Sequence, residues 1–142
     1  MIKVSRGCLG SEELEEVKSA FEYGYFGLAF KVDEFEEALK SYFGASYVVA
    51  TNTGTTALHL TLDALGIGPG DEVIVPSLTY VASFQAISAT GAKPVSCDIH
   101  PNSLLMDVAD VERRLSAKTK AVMPVHYAGN PCDMDALCEL RD

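Results

Sequence analysis

The chain has 142 residues, of which 48% are hydrophobic, and a formal net charge of −9 at pH 7. This length and composition predict one globular domain with a real core rather than a disordered chain. The negative charge argues against a nucleic-acid-binding surface and against a basic face that binds membranes. No apolar run is long enough to span a bilayer and residues 1–7 hold no apolar signal core, so the expected compartment is the cytoplasm.

The first third of the chain predicts two helices with a loop between them. Residues 11–22 form a polar, acidic helix with Ser11 as a plausible N-cap, and residues 23–29 form a loop. Residues 32–43 form a second helix, which Gly44 ends. Its apolar stripe consists of Val32, Phe35, Leu39 and Phe43.

Short apolar strands and helices then alternate. The predicted strands cover residues 47–50, 73–75, 94–98 and 121–125. The predicted helices cover residues 55–65, 81–90, 108–115 and 134–140. Strands that are apolar on both faces and alternate with helices predict an α/β fold, with a mostly parallel sheet flanked by helices.

A candidate anion site lies between the first of these strands and its helix, in the segment Asn52-Thr53-Gly54-Thr55-Thr56. The amino end of a helix offers free N–H groups and a positive dipole end to an anion. Gly54 would let the backbone approach the anion, and the hydroxyls of Thr53 and Thr55 would add donors. The alternative is that Asn52 or Thr53 is only an N-cap and Gly54 only a turn residue.

Other polar residues give ordinary structural expectations. The four cysteines match no zinc spacing and are expected to be reduced. His59 and Asp63 are four residues apart on a predicted helix and are expected to form an exposed ion pair. His100 follows a strand in a polar loop and is expected at the surface.

Three ordered motifs carry a resemblance to a known family. They are residues 52–60 (NTGTTALHL), residues 66–80 (GIGPGDEVIVPSLTY) and residues 119–135 (TKAVMPVHYAGNPCDMD). In these motifs the chain resembles the sugar aminotransferase family called DegT/DnrJ/EryC1/StrS. The resemblance covers nearly its whole length. Gly24, Gly27, Phe35 and Glu36 of this chain resemble the glycine and Phe-Glu pattern near the N-terminus of the family.

The resemblance implies the fold of the aspartate aminotransferase superfamily, with pyridoxal 5'-phosphate (PLP) as cofactor. In this family PLP moves an amino group, usually from glutamate, onto a keto group of a nucleotide-linked sugar. By position, Thr53, Gly54 and Thr55 would hold the PLP phosphate. Tyr80 would stack on the pyridine ring, the alternative being a core aromatic. His126 would contact cofactor or substrate, or serve a structural role.

The resemblance also implies that part of the active site lies beyond Asp142. The implied domains are an N-terminal helical segment over residues 1–45 and the first part of the PLP-binding large domain over residues 46–142. The aspartate that pairs with the pyridine nitrogen, the Schiff-base lysine, later strands and the small C-terminal domain would all follow Asp142. The 142-residue chain is therefore expected to be inactive alone. Two alternatives stay open, a sugar dehydratase of the same family and a non-catalytic remnant.

Two structural expectations come with the family. The strand at residues 47–50 would lie at the far side of the sheet, away from the next three strands, which pair side by side. The family implies a homodimer, and the four aromatic residues within residues 23–30 favour contact over exposure.

Overall fold

The computed structural model describes residues 7–27 and 30–140. The chain divides into two compact units, Met1–Ala50 and Thr51–Asp142. The first unit contains the helices α1 (Ser11–Tyr23) and α2 (Phe30–Phe43). Both predicted helices are therefore confirmed, and the end of the predicted loop between them, residues 28–29, lies outside the described residues.

The amino end of α1 corrects the predicted cap. Gly10, not Ser11, is the N-cap, and Ser11 is the first helical residue. The Glu13 carboxylate accepts the Gly10 N–H at 2.6 Å, and this hydrogen bond lowers the pKa of that carboxyl. Because Glu13 closes the first turn from inside the helix, the turn is held without a capping hydroxyl.

The first unit is held by surface interactions. Lys31 on α2 contacts Glu16 on α1 at 2.6 Å and Glu34 on its own helix at 2.9 Å. None of the described residues of α1 or α2 is buried, and Phe35 and Phe43 are 54% and 70% exposed. The predicted apolar stripe of α2 is therefore covered only in part, with Val32 and Leu39 half-buried, because two short helices provide too little area to bury it.

The predicted strand at residues 47–50 is wrong for this chain. These residues are described throughout and form no strand, and Tyr47 and Val49 are 90% and 76% exposed. Pairing needs a neighbouring strand, and the described residues supply none here. The Ala50 N–H instead donates to the Glu36 carboxylate at 2.7 Å, which gives this family-pattern glutamate a structural role.

The second unit is a three-stranded parallel sheet with helices. The strands are β1 (Glu72–Pro76), β2 (Lys93–Cys97) and β3 (Thr119–Val122), in the order β2-β1-β3. The helices are α3 (Gly54–Ala64), α4 (Ala82–Ala89), α5 (Val108–Arg114) and α6 (Met134–Glu139). This arrangement confirms the predicted α/β fold, and each of these helices and strands lies within a few residues of its predicted place. In the described part of the chain, no helix is long and apolar enough to cross a membrane.

The central strand β1 is buried on both faces. Val73 and Val75 belong to one hydrophobic cluster with Leu62 of α3 and Ile87 of α4. Ile74, which points to the opposite face because strand side chains alternate, belongs to a second cluster. That cluster contains Cys97, Met106, Val111, Cys132 and Leu137. The central strand is therefore covered on both sides, as the apolar pattern predicts, whereas β2 and β3 are buried only in part.

The end of β3 differs from the prediction. The strand covers Thr119–Val122 rather than residues 121–125, and its last ladder bond runs from the Met123 N–H to the Ile74 carbonyl at 2.8 Å. The next bond of this ladder would need an N–H at Pro76 of β1, and proline has none, so the pairing stops here. Val125 therefore belongs to the loop that follows the strand.

A buried carboxylate joins β2 to α5. Asp110 is 5% exposed, and it accepts hydrogen bonds from Arg114, from the Asp98 N–H at 2.8 Å and from Arg113 at 3.0 Å. The Arg114 hydrogen bond, followed by that of the Asp98 N–H, lowers the pKa of the Asp110 carboxyl to about 2. Because the pKa of Asp110 is lower in the folded chain than in the unfolded chain, the carboxylate stabilises the fold at pH values above the ordinary pKa of aspartate. This contribution is lost as the pH falls toward about 2.

The burial of β1 leads to a stability prediction. Ile74→Ala should lower the free energy of unfolding by about 2–5 kcal/mol, because it removes a fully buried side chain and leaves a cavity. Leu65→Ala, at a residue that is 65% exposed, is the matched control and should change it by less than about 0.5 kcal/mol. Urea unfolding followed by circular dichroism measures both. Equal losses for the two variants would contradict the described core.

Candidate cofactor-binding site

A cleft of about 610 Å³ opens at one edge of the second unit. It lies where β1 and β3 end and where α3 begins, because parallel strands bring their carboxyl ends to the same edge. Its lining combines backbone near a helix end, hydroxyls, an aromatic ring and an imidazole. The lining residues are Gly54, Thr55, Leu58, Thr79, Tyr80, Ala82, Ser83, Met123, Pro124, Val125 and His126.

The amino end of α3 presents two free backbone donors to this cleft. Thr53 is the N-cap: its hydroxyl accepts the Thr56 N–H at 3.0 Å and its carbonyl accepts the Ala57 N–H at 3.1 Å. Among the described residues, the N–H groups of Gly54 and Thr55 have no hydrogen-bond partner. The structure therefore confirms the cap and also leaves two donors open to an anion.

Gly54 has no structural need to be glycine. It is the first residue of α3, and a Cβ built on it would meet nothing within 4 Å. Glycine in a helix costs conformational entropy relative to alanine. Contacts among the described residues therefore do not explain glycine at this position.

Tyr80 lies on the cleft and is not a core residue. Its side chain is 78% exposed, so the core alternative is wrong. The start of α4 holds its backbone, since the Ser83 N–H donates to the Tyr80 carbonyl at 3.1 Å. An exposed ring on a fixed backbone can stack against a planar ligand.

Ser83 is a cleft residue that the sequence motifs did not single out. It is 5% exposed, and its hydroxyl shares a 2.8 Å hydrogen bond with the hydroxyl of Thr79. The available signal was the spacing, because Thr79 and Ser83 are four residues apart, one turn along the chain as it enters α4. This pair fixes the wall of the cleft next to Tyr80.

His126 lines the cleft and also anchors a loop. Its Nδ1 accepts the Cys132 N–H at 3.0 Å, and the thiol of Cys132 donates to the Val125 carbonyl at 3.2 Å. A neutral imidazole that accepts at Nδ1 carries its hydrogen on Nε2. The structure thus supports the structural alternative for His126 and leaves its Nε2–H as a donor.

The other polar residues singled out from the sequence lie outside the cleft lining. His59 contacts Asp63 at 3.4 Å, and His100 is 66% exposed at 3.9 Å from Asp107. The four cysteines are free. No group of metal-binding side chains occurs within residues 7–27 and 30–140. The structure therefore brings together Gly54, Thr55, Tyr80 and His126, with Thr53 beside them as the cap.

Two curated relatives have sequences similar to this chain. GDP-perosamine synthase from Caulobacter vibrioides is 52% identical over 107 residues, which are 75% of this chain and 29% of that protein. The spore coat polysaccharide biosynthesis protein SpsC from Bacillus subtilis is 45% identical over 129 residues, 91% of this chain and 33% of that protein. The chain thus spans about a third of the length of these relatives.

A solved structure extends the similarity to the fold. The PLP form of the putative sugar aminotransferase Spr1654 from Streptococcus pneumoniae matches 98% of this chain and 36% of its own chain, with a TM-score of 0.93 and 38% identity. Residues 7–142 match the sequence profile of the DegT/DnrJ/EryC1/StrS aminotransferase family. The chain belongs to this family of sugar aminotransferases, whose cofactor is pyridoxal 5'-phosphate.

Proposed function

We propose that this chain forms the phosphate- and ring-binding part of a PLP-dependent aminotransferase that transfers an amino group, from glutamate, to a nucleotide-linked keto sugar. The observation that carries the proposal is the shared cleft. The two open N–H donors of α3 and the exposed ring of Tyr80 line the same space.

The amino end of α3 fits the phosphate of PLP. Gly54 and Thr55 supply two backbone donors at a helix amino end, where the dipole contributes about 0.3–1 kcal/mol toward a negative charge. The missing Cβ of Gly54 leaves room for a phosphate oxygen next to the backbone. Backbone donors need no lysine or arginine, so the site is compatible with a net charge of −9. Gly54 and Thr55 supply the donors of the proposed phosphate site, and Thr53 belongs to it as the cap of the helix.

The opposite part of the cleft fits the ring and the substrate. Tyr80 would stack on the pyridine ring, and the Nε2–H of His126 would donate to cofactor or substrate. When bound, PLP supplies an electron sink for moving an amino group between donor and acceptor. The residues of this chain bind and orient the reacting molecules.

The proton-transfer step requires a group that the cleft of this chain does not provide. The three lysines of the second unit, Lys93, Lys118 and Lys120, are exposed, and none of the described lysines lines the cleft. We therefore propose that the 142-residue chain binds PLP but does not transfer amino groups alone.

A homodimer is part of the proposal because four aromatic residues of the first unit are at least 58% exposed. They are Phe21, Tyr23, Tyr25 and Phe26.

The choice of a nucleotide-linked sugar is supported by one relative, because the name of GDP-perosamine synthase includes both a nucleotide and an amino sugar. The same relative favours amino transfer over dehydration. Glutamate as the donor rests on the family resemblance.

Gly54→Ala separates ligand binding from folding. The new methyl group meets open space in the protein, so the variant should be as stable as the wild type or more stable by up to about 1 kcal/mol. It should nevertheless bind inorganic phosphate at least about 10-fold more weakly, because the methyl occupies the space of a phosphate oxygen and close-packed sites tolerate no added methyl. Thermal unfolding and NMR titration of amide signals measure the two effects. Wild-type shifts centred away from Gly54 and Thr55, or unchanged affinity in the variant, would contradict the proposed site.

Tyr80→Ala tests the ring contact. The ligand is pyridoxine 5'-phosphate, which has the ring and phosphate of PLP but no aldehyde to react with lysines. Tyr80→Ala should weaken its binding about 2- to 12-fold, the equivalent of an aromatic stacking contact of about 0.5–1.5 kcal/mol. Tyr80→Phe should keep the affinity, and inorganic phosphate should bind all three chains equally. If Phe weakens binding as much as Ala, the phenol hydroxyl rather than the ring makes the contact.

A further inference from the structure

We propose that Thr53 is a positioning residue, whose hydroxyl holds the amino end of α3 and makes no contact with the phosphate. The direct donors would then be the N–H groups of Gly54 and Thr55 and the hydroxyl of Thr55. This inference rests on the proposed function, and it separates two threonines that the sequence motif treats alike.

The hydrogen bonds around Thr53 account for every hydroxyl hydrogen. The Thr56 hydroxyl donates its one hydrogen to the Asn52 Oδ1 at 2.9 Å, because a carbonyl oxygen can only accept. The 3.0 Å contact between the hydroxyls of Thr53 and Thr56 must then use the hydrogen of Thr53. Because this single hydrogen is used, the Thr53 hydroxyl has none left for a phosphate oxygen, and its oxygen accepts the Thr56 N–H at 3.0 Å.

The backbone of Thr53 is held from both sides. Its carbonyl accepts the Ala57 N–H at 3.1 Å and the Thr51 hydroxyl at 2.9 Å. Together with the hydroxyl bonds, these contacts connect the turn before α3 to the first turn of the helix. A rotation of Thr53 would break several hydrogen bonds at once, so the cap fixes the direction of the helix end.

Thr55 differs from Thr53 in each respect that matters for direct contact. It lines the cleft, and among the described residues its hydroxyl has no hydrogen-bond partner. Thr53 does not line the cleft. The cap also occupies the N–H groups of Thr56 and Ala57, so the open donors of the first turn are two backbone N–H groups and one hydroxyl. Three donors match the three terminal oxygens of a phosphate ester.

The test makes two measurements on the 142-residue chain and its variants. NMR titration gives the affinity for inorganic phosphate, and amide hydrogen exchange is measured separately without phosphate. Thr53→Val removes the hydroxyl that accepts the Thr56 N–H, so the Thr56 amide should exchange roughly 2- to 30-fold faster, with a parallel loss of affinity. Thr53→Asn restores an N-cap acceptor without a hydroxyl, and it should restore both slow exchange and affinity. Thr55→Val should weaken phosphate binding about 2- to 12-fold and leave exchange in the free chain unchanged.

Thr61→Val is the matched control, because the Thr61 hydroxyl donates to the Ala57 carbonyl within α3 and lies outside the cleft lining. It should leave phosphate affinity unchanged. If Thr53→Asn restores slow exchange but not affinity, the Thr53 hydroxyl contacts the phosphate and the inference is wrong. Unchanged exchange in Thr53→Val, or a wild-type chain without slow exchange in α3, would also overturn it. Wild-type phosphate shifts away from Gly54 and Thr55 would instead overturn the proposed function, on which the inference depends.

Discussion

Parallel pairing of β1 with β2 and β3 directs the carboxyl ends of all three strands to one edge of the sheet. Tyr80 follows β1 at this edge, and His126 follows β3. The third component arrives through packing, because Leu58 and Leu62 of α3 pack with the cluster that contains Ile87 of α4. This contact between α3 and α4 brings the amino end of α3 to the same edge. The strand order and this helix–helix contact together define the cleft.

The proposed phosphate site contains no positively charged side chain. Its lining residues include no lysine or arginine, and the chain as a whole carries nine more negative than positive charges. In the proposal, the attraction for a phosphate would come from oriented backbone N–H groups, which cost no side-chain entropy. Their availability depends on the cap, since Thr53 occupies the next two N–H groups and leaves those of Gly54 and Thr55 open.

Much of this arrangement could be predicted from the sequence, because local signals decide it. Apolar runs on both faces predict buried strands such as β1, and Thr53 before Gly54 predicts the helix cap that the structure shows. The strand predicted at residues 47–50 could not be judged locally, because an apolar run becomes a strand only when another strand pairs with it. The end of β3 depends on a missing N–H at Pro76 of the neighbouring strand, and only the pairing register shows which proline matters.

Other features depend on three-dimensional contacts. The exposure of Tyr80 excludes a core position in this chain, and no pattern of residues gives that exposure. The separate roles of Thr53 and Thr55 follow from counting hydrogens along Asn52, Thr53 and Thr56, which requires the distances between them. The part of His126 in holding Cys132 is likewise a contact across a loop.

The most direct measurement of the central claim is the coupling between backbone 15N and ligand 31P nuclei across hydrogen bonds, with pyridoxine 5'-phosphate bound to the chain. We expect such couplings at Gly54 and Thr55 and none at Thr56 or Ala57, whose N–H groups the cap already occupies. Couplings at Thr56 or Ala57, or to residues outside the amino end of α3, would contradict the phosphate site described for this family member.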